Sequence, residues 1–143
     1  MLRLARGTFA RGTSRPTSPV AAEQLAEILG KLTPERVGPE RRAENRYPYP
    51  RLIYLTPTAP DGVTPTGPTQ AASGKHLSQG GIGFYHQTSL PFRRMIVTLE
   101  RDDRRWLSLA TDLTWCRFTK HGWYESGGRF LEVVPSPFET LRS

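Results

Sequence analysis

G-K-H-L-S-Q-G-G-I-G-F-Y, residues 74–85, is the stretch of this 143-residue chain from which its architecture unfolds. A Gly-Gly pair between apolar residues is a hairpin signal, and the residues after it, 82–86, have the texture of a strand. Working outward, residues 94–100, 106–118 and 123–134 are rich in β-branched and aromatic side chains and predict further strands. Asp102 and Asp103 mark the turn of one hairpin, and Lys120, His121 and Gly122 that of the next. Upstream, Leu52, Ile53, Tyr54 and Leu55 form a short apolar run. Between that run and the opening stretch, residues 56–75 carry Thr, Pro and Gly and read as a long loop with a strand near its end. Five or six antiparallel strands with short connections close into a small barrel. The expected fold class is therefore all-β, a small antiparallel barrel of five or six strands.

Composition agrees. A hydrophobic fraction of 36% with 13 Gly and 13 Pro implies many short segments and turns. No apolar run approaches the roughly 18 residues needed to span a bilayer. Cys116 is the only cysteine, which excludes an internal disulfide; in its strand setting it reads as a buried free thiol. Residues 1–17 carry Arg3, Arg6, Arg11 and Arg15 and no acid, the composition of a disordered basic arm. A transit peptide shares that composition, whereas a secretory signal would need an apolar stretch that is missing. Ser18 before Pro19 is a helix start and Gly30 a stop, predicting a short helix over about 19–32. Leu25, Ile28, Leu29 and Leu32 form its apolar stripe, suited to packing on the domain or, as a sharper reading, to docking a partner. Residues 1–39 are thus an arm plus helix, and 40–143 the barrel domain with a basic segment before it. Residues 1–51 hold ten of the 20 Lys and Arg against five acids. That excess attracts phosphates generally, whether of a nucleotide, a nucleic acid or a membrane.

Two further features fall in a fixed order with the opening stretch. Arg42 and Arg46 make an R-x-x-x-R pair some thirty residues upstream of His76, Ser78 and Gly81, and W-C-R-F at 115–118 and G-G-R-F at 127–130 follow. In this order they resemble the PilZ domain, a receptor module for the bacterial second messenger cyclic di-GMP, whose R-x-x-x-R motif precedes a (D/N)-x-S-x-x-G motif. The resemblance covers roughly residues 40–134. It implies a six-stranded barrel, a clamp role for Arg42 and Arg46, and a ligand surface lined by the positions of His76, Ser78 and Gly81. The chemistry is sound: the planar arginine fork makes paired hydrogen bonds to phosphate or to guanine O6 and N7 and stacks on purines. Ser78 offers a hydroxyl and Gly81 a close backbone approach. Gly80 and Gly81 also suit a tight turn without any ligand.

His76 departs from the motif. An acid or amide there accepts from the N1–H and N2–H₂ donors of guanine, and neutral imidazole has one acceptor only. Losing a charge-assisted pair costs about 1.5–3 kcal/mol, one to two decades of affinity. Instead, the ring stacks on the base or, protonated, meets phosphate. Arg41 is an additional cation, for a second stacked ligand or simply solvated beside Glu40. Arg51, Lys75 and Arg117 read as solvated strand-edge charges, the tryptophans and tyrosines as packing, and Asp112 as a turn or surface residue. The histidines and Cys116 lack metal-ligand spacing. The expectation is a cytoplasmic, non-enzymatic cyclic di-GMP receptor without cofactor or metal, whose arm closes over the ligand and signals to a protein partner. The alternatives are a PilZ-like protein-interaction module that has lost nucleotide binding through His76, and a single-stranded nucleic-acid-binding barrel.

Overall fold

In residues 81–86 every second side chain turns inward: Ile82, Phe84 and His86 are buried, while Gly81, Gly83 and Tyr85 are half-exposed, the period of a strand with one face on a core. The computed structural model describes residues 16–32, 46–101 and 104–138. Their elements, in chain order, are α1 (Pro19–Leu29), β1 (Tyr47–Pro48), β2 (Leu52–Pro57), β3 (Gln70–Leu77), β4 (Gly81–His86), β5 (Arg94–Glu100), β6 (Trp106–Phe118) and β7 (Tyr124–Val134). All pairings are antiparallel, in the order β1-β3-β2-β5-β6-β7-β4, and a β3–β4 pairing closes the ring. Strands β2 to β7 are thus a closed six-stranded barrel, with β1 an additional short strand along β3.

The interior is filled by Ile53, Leu55, Phe84, Met95, Val97, Leu99, Leu109 and Phe130, all fully buried. Ala21, Leu25 and Leu29 of α1 belong to the same cluster, and Ile28 and Leu32 pack against it. The helical stripe is therefore used up on the barrel and is not a free docking face. As the sequence implies, Ser18 caps α1, its Oγ accepting from the Ala21 amide at 3.2 Å, and Pro19 opens the first turn. The helix ends at Leu29, short of residue 32, and Gly30, Lys31 and Leu32 close it with single-turn hydrogen bonds. Arg101 helps to hold it, donating to Gln24 Oε1 at 2.5 Å and to Glu27 Oε1 at 2.6 Å.

The strand expected near the end of residues 56–75 is β3, which starts at Gln70, and the loop before it follows Pro57. Ala71, Ala72, Ser73 and Gly74 are poor strand formers individually, but β3 is hydrogen-bonded to β2 on one side and β4 on the other, and tertiary pairing overrides propensity. Asp112 is not a surface residue; it is 3% exposed and paired with Arg94, because a buried carboxylate requires a cation. The Gly122 turn is as expected, with φ +87°. Asp102 and Asp103 lie outside the described residues, as do residues 1–15, 33–45 and 139–143. No helix among the described residues is long and apolar enough to cross a membrane.

Candidate functional site

Strand β1 determines the site. Its register on β3, Tyr47 opposite Leu77 and Pro48 opposite His76, brings the preceding residue, Arg46, to the same end of β3 as His76 and Ser78. The Arg46 guanidinium donates from Nη2 to His76 Nδ1 at 3.3 Å. Arginine has no acceptor, so Nδ1 must carry the lone pair, and the hydrogen of a neutral His76 sits on Nε2. In this arrangement the imidazole presents a donor, not an acceptor, at Nε2.

Ser78 opens the β3–β4 turn. Its Oγ accepts from the amides of Gly81 at 3.1 Å and Gly80 at 3.3 Å, and its own amide donates to the Gly81 carbonyl at 2.9 Å. The hydroxyl therefore shapes the turn. Gly81 has an equally local reason to be glycine: a Cβ there would collide with the Gly128 carbonyl oxygen on β7. This turn also anchors the start of α1, through Gln79 Nε2 donating to the Ala22 carbonyl at 3.1 Å and Thr17 Oγ1 to the Gly80 carbonyl at 3.4 Å.

Beyond the turn, the outer barrel wall forms a groove of about 690 Å³. Across β3, β4, β7 and β6 one outward row reads His76, Gly83, Gly127, Trp115. Two glycines in the middle leave the wall hollow, and the Trp115 indole lies over Gly127 so closely that a Cβ there would run into its Nε1 and Cε2. Arg129, opposite Gly81 and exposed, stands at the rim. The groove thus combines Arg46, the His76 donor, an indole and Arg129, which suits an anionic ligand with planar rings.

Of the residues singled out in the sequence, Arg46, His76, Ser78 and Gly81 line this one groove, and Arg41 and Arg42 lie outside the described residues. Trp115 and Arg129 were missed. Their signal was present in W-C-R and G-G-R: with Cys116 inward, its neighbours must face out, and paired glycines opposite a tryptophan invite the ring to lie over them.

A neighbouring outward row contains Tyr85, Glu125 and Arg117, and here Arg117 and the nearby Lys75 are ion-paired rather than simply solvated. Glu125 is 5% exposed and accepts from Lys75 Nζ at 2.6 Å and from Arg117 at 2.8 and 3.1 Å. Burial, the largest single influence, pushes its carboxyl upward, but the bonds and charges of both cations together outweigh this and leave it below its usual value. The hydrogen bond to Glu125 in turn raises Lys75. Arg117 lies 6.0 Å over Trp115 and so links the two rows.

Among the described residues no group of three His, Cys, Asp or Glu is gathered to hold a metal ion. Cys116 is buried, and that burial pushes its thiol up. No protein-family model matches the chain, and neither a curated protein nor a solved structure does.

Proposed function

We propose that this chain is a PilZ-like receptor that binds cyclic di-GMP in the groove between Arg46 and Arg129 and acts by binding rather than by catalysis. One observation carries the reading: the two halves of the sequence pattern, thirty residues apart, meet where the Arg46 guanidinium touches His76 above the Ser78 turn. A stretch of four residues spans at most about 14 Å, so Arg42 has the reach to clamp the same ligand, with Arg41 beside it. The cations meet the phosphodiesters, and the Trp115 face accepts a purine.

His76 changes how guanine is read. With Nδ1 accepting from Arg46, the Nε2–H donor matches O6 or N7 of the Hoogsteen edge, or a phosphate oxygen. An acid at this place would instead accept from the Watson-Crick edge. Closure of the basic segment over the ligand would present a new surface to a protein partner.

A second reading, a PilZ-like interaction module without nucleotide binding, draws support from the Ser78 hydroxyl, which is already engaged by the turn amides. Titration calorimetry with cyclic di-GMP separates the two. On the receptor reading Arg42→Ala and Arg46→Ala each weaken binding about 10- to 100-fold, the worth of a charge-assisted hydrogen bond. Both variants binding like the parent would exclude the clamp. Binding absent in the parent but gained in His76→Asp would establish the second reading.

A further inference from the structure

Next to the groove, the wall of β3, β4, β6 and β7 continues into a separate cleft of about 760 Å³ that ends at the β6–β7 turn. Its composition differs from that of the rest of the surface. Phe118 and Trp123, 63% and 39% exposed, are the two aromatics among the large apolar side chains that stand exposed in the described chain, and both line this cleft with Tyr85. Lys75, Arg117 and Lys120 alternate with them. The one acid among the described residues that line it, Glu125, is buried and already paired with Lys75 and Arg117. Those two bonds also fix the cations in place, which lowers the ordering cost of a ligand. Phe118 is braced edge-on against Tyr124 at 5.0 Å, and Lys75 lies 5.5 Å over the Tyr85 ring.

We propose that this cleft is a second binding site, for single-stranded nucleic acid. Strands β4, β6 and β7 are paired along both edges, so the wall offers no free strand edge to a peptide, and an occupant must be held by side chains alone. Rings interleaved with cations meet the two repeating features of a single strand, its base faces and its phosphates. An acidic peptide would match the charges but would leave the exposed rings without a planar partner. The site is independent of the cyclic dinucleotide reading, because it uses neither Arg46 nor His76.

The test is fluorescence anisotropy of the full chain with a labelled 15-nucleotide oligothymidylate, against a duplex of equal length and a poly-glutamate peptide. Variants are Trp123→Ala, Phe118→Ala, Lys120→Glu and Arg46→Ala; the first three change exposed side chains and leave the core intact. The single strand is expected to bind tightest. Trp123→Ala and Phe118→Ala should each weaken it about tenfold, the scale of one lost base stack. Lys120→Glu should weaken it too, and Arg46→Ala should leave it unchanged. With three cations engaged, affinity should fall about 10- to 20-fold between 50 and 200 mM salt. Retention that survives both ring substitutions would assign binding to general charge, including that of the N-terminal arginines, and overturn the proposal. So would a duplex or poly-glutamate that binds as well as the single strand.

Discussion

Replacing Gly127 by alanine tests whether the Trp115 indole lies over the groove floor. A Cβ at this position meets Nε1, Cε2 and Cδ1 of Trp115, whereas a Cβ at Gly83, the neighbouring glycine of the same row, meets only the Ser126 carbonyl oxygen at 3.9 Å. Overpacking of this kind costs about 1–3 kcal/mol, and at about 4 °C per kcal/mol for a chain of this size Gly127→Ala should lower the melting temperature by about 4–12 °C. Gly83→Ala should be neutral or gain about 0.5–1 kcal/mol, since glycine in a strand is entropically costly. The decisive measurement is a double-mutant cycle by thermal and urea unfolding. In a Trp115→Ala background the clash is gone, and Gly127→Ala should cost less than about 0.5 kcal/mol, a coupling energy of about 0.5–3 kcal/mol. An equal cost of Gly127→Ala in both backgrounds would refute the packing of the indole on Gly127. Indole fluorescence of the Gly127→Ala protein should also change as the ring is pushed off the wall.

Two further expectations concern buried titratable groups. Burial, the larger influence, holds His86 below its usual range, against an opposing hydrogen bond from its ring to the Thr88 carbonyl. The unfolded chain therefore takes up the proton first: stability from His86 is full above about pH 6.5 and is lost as pH falls through the lower folded value. Melting temperatures should be level from pH 8 to 7 and decline below 6.5, and His86→Gln should flatten that decline; an unchanged decline would assign it elsewhere. For Cys116, burial raises the thiol, so the native protein should resist alkylation at pH 8 and react only on unfolding. Native labelling at the rate of a free thiol would contradict its burial.

Much of the barrel was legible because its strands announce themselves locally. In β4, β5, β6 and β7 the β-branched and aromatic residues and the turn signals lie within each segment, and Ser18-Pro19 marks the helix start. Strand β3 was only half visible, since Ala71 to Gly74 become a strand through neighbours that are distant in sequence. The same holds for Asp112, whose burial depends on Arg94 from the adjoining strand, and for Glu125, whose partners Lys75 and Arg117 are 50 and 8 residues away. At the site, Arg46, His76, Ser78 and Gly81 were legible as a pattern of residue types. Trp115 was not, because an indole on a barrel strand reads as packing until the glycine opposite it is known. What the pattern did not reveal is that Ser78 and Gly81 have local structural duties and that Arg46 fixes the His76 tautomer. Substitutions at Ser78 or Gly81 will therefore disturb the turn as well as any ligand, and Arg46 is the cleaner probe.

The most direct test of the central claim is calorimetric titration of the purified full chain with cyclic di-GMP, with GTP as control. A receptor should bind the cyclic dinucleotide at micromolar concentration and leave GTP unbound. Absence of binding heat at several temperatures, from a protein whose melting curve shows it folded, would contradict the claim.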